Sequence, residues 1–306
     1  MVFPSVMALP LLIVLAAGLY YIYNEVMQYM SKSLVRNKVV VITDAVSGVG
    51  NCAHLFHKGG ARLILCGDNW DKLESLYDSL INEADPSEQT FAPKLVILDF
   101  SDMESMEDVT TEMVDSYGCV DVLICNSSMK LKAPVQSISL ELDRNIMDIN
   151  YFGPTTLTKI LPTMIPRRSG HIILVNSIQG RLAVPFRAAS KHAVQAFFDC
   201  LRAEVEEYGI TVSTISHTFI DSTVPSSPEK HASKPNSLAA VANQLAHGVR
   251  PSVLADEIMR TVNRKRKEVV LSHPIPRVAV HLRSLLPSFL FAVLGAGVKD
   301  SVLAEQ

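Results

Sequence analysis

At 306 residues and a net charge of −3, the chain is long enough for one large domain plus an appendage, and it offers no basic face for nucleic acid. A hydrophobic fraction of 48% and a mean hydropathy of +0.22 are high for a soluble protein and suggest membrane contact. Its five cysteines (Cys52, Cys66, Cys119, Cys125, Cys200) are scattered, with no C-x-x-C pair, which reads as isolated thiols in a reducing compartment, with no metal site or disulfide framework.

Residues 2–24 carry no charge and are mostly Leu, Ile, Val, Ala, Tyr and Phe. About 20 such residues span a bilayer. Tyr20, Tyr21 and Tyr23 close the run where an interfacial aromatic belt lies, so residues 1–30 are expected to be a membrane anchor. Lys32, Arg36 and Lys38 follow it and no basic residue precedes it, which puts the main domain on the cytosolic side. The alternative is secretion after cleavage near Ala16-Ala17-Gly18, although the charged start of a signal peptide is missing.

From Asn37 to about residue 272, short apolar runs alternate with amphipathic stretches, the pattern of a doubly wound parallel sheet. Val39-Val40-Val41-Ile42 reads as a strand, followed by Thr43-Asp44-Ala45-Val46-Ser47-Gly48-Val49-Gly50 and a helix. Glycines between strand and helix let the backbone approach a pyrophosphate at the helix N-terminus, though an ordinary turn has the same look. Arg62–Gly67 is a second strand ending at Asp68, an acid able either to bind ribose hydroxyls or to cap the next helix. Leu95–Leu98 leads to Asp99, and Asp121–Ile124 leads to Cys125-Asn126-Ser127-Ser128.

A helical pattern over Leu140–Met164 carries Asn150-Tyr151-Phe152-Gly153. Strand Ile172–Val175 then leads to Ser177 and, past Gly180 and Pro185, to the helix start Ala188-Ala189-Ser190-Lys191. That helix runs to Tyr208, ends at Gly209, and is followed by strand Thr211–Ile215. Residues 224–248 are polar and rich in Ser and Pro. A capped helix is expected over Ser252–Lys267, with Asp256-Glu257 early and a basic run late, then a strand at Val269–Leu271. Residues 273–306 are again apolar but contain Arg277, His281 and Arg283, so they read as a membrane-surface segment and not a second span.

This series of motifs resembles the short-chain dehydrogenase/reductase family over about three-quarters of the chain. The resemblance implies a Rossmann-like fold and hydride exchange with a nicotinamide cofactor. It implies that Ser47, Gly48, Val49 and Gly50 form the phosphate turn and that Asp68 meets the adenosine ribose. Asp99 would meet the adenine, Asn126 would support the cofactor-binding strand, and Ser222 would stand where a Thr meets the carboxamide. Ser177 would hold the substrate oxygen, Asn150 would open a kink in its helix and hold a relay water, and Lys191 would hold the nicotinamide ribose. The acid at Asp68 and the neutral Ser47 favour NAD over NADP. The branch most resembled is implied to be anchored in the endoplasmic or sarcoplasmic reticulum and to act on retinol-like or other lipophilic alcohols and carbonyls. The helix after Lys191 pairs subunits in many members, so a homodimer is a further expectation.

The chain departs from the family's pattern at several places. Asp44 replaces the first glycine of the turn, only Asn126 survives of N-N-A-G, and His217-Thr218 replace P-G. Four residues before Lys191, where the family has its proton-donating Tyr, stands Arg187, whose guanidinium keeps its proton in proteins. The Ser177–Lys191 interval is also about three residues shorter than the family's, which suggests a small in-frame loss that took the Tyr with it. Tyr151 and Tyr208 lie outside the motif. Two functions are therefore open. One is a membrane-bound oxidoreductase; the other is a pseudoenzyme that binds NAD or a protein partner.

Overall fold

The computed structural model describes Gly18 and residues 34–87, 89–127, 129, 138–182, 189–218, 220 and 248–292. The expected anchor, Arg187, Ser222 and nearly all of the polar 224–248 stretch lie outside them. Seven parallel strands form one sheet in the order β3-β2-β1-β4-β5-β6-β7. They are β1 Val39–Ile42, β2 Arg62–Gly67, β3 Lys94–Ile97, β4 Val122–Asn126, β5 Gly170–Ser177, β6 Ile210–His217 and β7 Glu268–Leu271.

A parallel sheet is covered on both faces, so its central strands are apolar at every position. In β1, Val39 and Val41 point to one core and Val40 and Ile42 to the other. The first core is closed by helices α3 (Met106–Asp115) and α5 (Ala189–Val205), through Met106, Met113, Val194 and Phe198. The second is closed by α1 (Asn51–Lys58), α2 (Trp70–Asn82) and α6 (Pro251–Arg264), through Phe56, Leu73, Leu254 and Ile258. This is the expected doubly wound arrangement.

Local chemistry sets the helix ends. The side chain of Asn69 accepts from Lys72 N at 3.0 Å and caps α2, so the cap is Asn69 and not Asp68. Gly209 stops the α5 segment at φ +71, a left-handed position. The expected cap near Ser252 is absent. Helix α6 instead starts on Pro251, which fits N1 because its missing N–H has no partner there. It ends at Lys265 in the left-handed region, so only Arg264 of the basic run lies in its last turn. Glu257, placed early by the sequence pattern, is buried and pairs with Arg266 and, at 3.9 Å, Arg260.

The long pattern from Leu140 is not one regular helix. Helix α4 (Leu140–Met147) passes into a π turn at Asp148–Phe152, then into short α and 3₁₀ turns up to Met164. Gly153 lies so close to Phe100 that a Cβ there would sit 2.2 Å from the ring. The C-terminal helix α7 (Pro274–Leu285) continues after a break as a turn over 287–292. Ala279 and Leu290 pack on Ile178 and Leu182, just beyond β5.

Candidate active site

The strand order reverses between β1 and β4, and ligands of such sheets bind outside the carboxyl ends of the strands at that point. There the Thr43 hydroxyl donates to Asn126 O at 2.8 Å and accepts from Asn126 N at 2.9 Å, joining the ends of β1 and β4. The Asn126 amide donates to Asp44 Oδ2 at 2.9 Å and to Ser47 Oγ at 3.0 Å. Ser47 in turn donates to Asp44 O at 2.8 Å. Asp44 sits at φ +48, the conformation for which glycine is the usual residue. A carboxylate replaces the glycine because the Asn126 amide engages it, and Asp is among the residues that tolerate this region.

Gly50 has no such latitude. A Cβ there would lie 2.1 Å from the carbonyl oxygen of Ala45, a backbone atom that cannot move aside. At Gly48 the Cβ would meet Ile220 Cγ2 at 2.6 Å, a side chain that can turn. Val49 is fully buried and fixes the turn to the second core. Helix α1 follows with no side chain capping its N-terminus. The positive end of its dipole is therefore not answered by a cap.

Asp68 lies exposed just past β2, and with Asn69 taking the cap its carboxylate has no hydrogen-bond partner among the described residues. Asp99, past β3, is exposed too, but its Oδ1 accepts from Ser101 N at 2.8 Å and Ser101 Oγ at 2.7 Å. The thiols at the ends of β2 and β4, Cys66 and Cys125, are pushed above the usual thiol range, mainly by complete burial. They are structural, not reactive.

Asn150 is 1% exposed inside the π turn. Its amide donates to Met129 O at 3.0 Å and Ser190 Oγ at 3.2 Å, whereas its Oδ1 has no partner among the described residues. Lys191, 8% exposed in the first turn of α5, donates from Nζ to Ser127 O at 2.6 Å. Both side chains thus reach the backbone that leaves β4. Asn176 adds a further tie, donating to Lys191 O at 3.0 Å and accepting from Ser177 N at 2.9 Å. Ser177 is half-buried, and its Oγ accepts from Gln179 N at 3.2 Å, which leaves its proton to donate elsewhere.

The structure therefore places Ser47, Gly48, Val49 and Gly50 in one turn with Asn126 bonded to it, and brings Lys191 and Asn150 to the carbonyls of Ser127 and Met129 just past Asn126. Asp68 and Asp99 follow at the ends of neighbouring strands. Thr43, Asn176 and Ser190 were missed by the sequence reading. A hydroxyl or amide at a strand's end was the only available signal, and many polar residues share it. A nicotinamide cofactor fits these groups: a glycine turn leads into the uncapped N-terminus of α1, an acid stands at the end of β2, and the buried Lys191 side chain reaches the end of β4.

The short chain dehydrogenase family profile matches residues 38–232. The Danio rerio dehydrogenase/reductase SDR family member 7C-A is 63% identical over 323 residues, covering 100% of this chain and 99% of the relative. Human dehydrogenase/reductase SDR family member 7C is 55% identical over 303 residues, with 97% of each chain covered. A short-chain dehydrogenase from Streptomyces avermitilis shares the fold, with a TM-score of 0.64 at 23% identity, covering 88% of this chain and 94% of that one. With the strand order, the turn and these matches together, the chain belongs to the short-chain dehydrogenase/reductase family of oxidoreductases.

Proposed function

We propose that the chain is a reticulum-anchored, NAD-linked member of the family, built for a lipophilic alcohol or carbonyl of retinol or steroid type, whose hydride transfer is severely slowed as the sequence stands. The observation that carries this is an assembled cofactor turn and a buried Lys191 beside a catalytic segment with no phenol. When bound, the cofactor supplies the hydride acceptor or donor. Gly48 and Gly50 admit its phosphates, Asp68 accepts from ribose hydroxyls, and Lys191 holds the second ribose. Ser222, by its place after β6, meets the carboxamide. Ser177 donates its proton to the substrate oxygen. Asn150 Oδ1 offers a buried acceptor for the water of a proton relay, and burying it unpaired would cost about 1–3 kcal/mol.

The missing link is the group that moves the substrate's proton. A positioned acid–base group contributes about 10²–10⁴-fold in rate, and Arg187 cannot stand in for it. The same absence favours a second reading, a pseudoenzyme that binds NAD or a protein partner.

Titration with NADH and NADPH, followed by fluorescence, is expected to show saturable NADH binding and weaker NADPH binding. No binding of either would remove the cofactor reading. Inserting three residues after Arg187, the last of them Tyr, to restore the family's interval is expected to raise retinol or steroid oxidation by about 10²-fold or more. If NADH binds but the restored chain stays inactive, the pseudoenzyme reading stands.

A further inference from the structure

Helix α7 and the turn after it have two unlike faces. Pro276, Ala279 and Leu290 are buried, the last two against Ile178 and Leu182. Opposite them Ile275, Val278, Leu285, Leu286, Phe289 and Phe291 are 37–76% exposed. Six large apolar side chains exposed within 17 residues are a local concentration of the kind that marks a docking surface. The same stretch is one-sided in charge. No Asp or Glu occurs between Glu268 and Asp300, whereas Arg277 and His281 are exposed on it.

We infer that this face seats in the interfacial layer of a lipid bilayer, with α7 lying in the membrane plane, and that anionic lipid strengthens the contact. This rests on the anchored reading proposed above. Three observations favour lipid as the occupant. An apolar face that carries an exposed Arg277 and lacks acids has the make-up of an in-plane interfacial helix. A two-fold pairing of the face with a second copy would bring the two Arg277 side chains into one interface with no acid to answer them. The uncharged 2–24 stretch is separated from Leu34 by residues 25–33, a tether of at most about 30 Å, which keeps the domain beside the bilayer.

The seat is also joined to the site. Arg283 of α7 donates to Arg181 O at 2.6 Å, and its Nη1 lies 2.5 Å from His192 Nε2. His192 is the neighbour of Lys191, and Arg181 lies four residues beyond Ser177. Lipid contact on the outer face of α7 therefore bears on the loop and helix that hold Ser177 and Lys191.

The test uses the full chain in vesicles. The native chain has one Trp, Trp70, half-exposed at the start of α2 near the opposite edge of the sheet. Phe289→Trp in a Trp70→Phe background moves the single indole onto the proposed face, at an exposed position where folding is not at stake. With excess vesicles of brominated phosphatidylcholine, emission from Phe289→Trp should be blue-shifted and quenched several-fold more than that of Trp70. Quenching should deepen when phosphatidylserine is included. Equal quenching at the two positions would overturn the inference. So would a blue shift that appears in detergent without lipid and grows with protein concentration, because a second copy would then cover the face. Flotation of the chain with vesicles reads the N-terminal span and NADH titration reads the cofactor site, so the failure of either reading is distinguishable from failure of this one.

Discussion

Asn126 holds the site's turn through one side chain that reaches both Asp44 and Ser47. Replacing it with Ala leaves the Asp44 carboxylate without its amide partner at a left-handed position. The expected cost is about 1–3 kcal/mol. For a domain of this size, each kcal/mol lowers Tm by about 2–4 °C, so thermal denaturation checks it. The two glycines of the turn should respond differently to the same added methyl. Gly50→Ala drives a Cβ into the Ala45 carbonyl and is expected to abolish NADH binding and lower Tm sharply. Gly48→Ala meets only Ile220, which can rotate, and should keep the fold. Equal loss in both variants would refute this account of the turn.

At the scale of elements, β5 and β6 pair along their whole lengths, from Gly170 opposite Ile210 to Ser177 opposite His217. His171 begins that zipper, with Nε2 2.7 Å from Ser213 Oγ. Burial, with the charge of Lys265 adding to it, lowers the imidazole from its ordinary 6.5 to about 4. The ring is neutral in the fold, whereas the unfolded chain takes up a proton below pH 6.5. Stability should therefore fall as pH drops from about 6.5 towards about 4, by up to about 3 kcal/mol, and level off below. The urea midpoint of His171→Gln should be flatter over that window than that of the native chain. An identical slope would place the pH dependence elsewhere.

Across the whole molecule, the C-terminal segment is joined to the loop beyond the carboxyl end of β5 through Arg283 and through Ala279 and Leu290. Arg283→Ala removes the contacts with Arg181 and His192 but leaves the apolar ones. Limited proteolysis should then cut the 272–292 segment faster, while the Rossmann-like core keeps its native Tm within a few degrees. Unchanged proteolysis would mean that apolar packing alone holds α7. At the ends of β1 and β4, Asp44, Ser47 and Asn126 are joined to one another, and Lys191 reaches the same strand's end through Ser127 O, with Arg187 standing four residues before it in the sequence.

The sequence alone determined the seven strands, the sheet type and the place of the glycine turn after β1. Buried parallel strands must be apolar at every position, and glycine is required where the backbone closes on itself, as at Gly50. The missing tyrosine was also legible, because a fixed spacing from Lys191 shows a gap at once. The pairing of Asn126 with Asp44 was not legible, since it joins residues 82 positions apart whose types are common anywhere. The choice left open at Asp68, ribose or cap, was closed only by the structure: Asp68 and Asn69 are both good caps, and the backbone decides that Asn69 faces Lys72. The burial of Glu257 and the attachment of α7 to the loop beyond Ser177 were likewise decided by tertiary packing, whereas the π turn at Asn150 falls where the family resemblance implies a kink. Hydrophobic periodicity tells a segment which face to bury, but it does not name the partner that the face will meet.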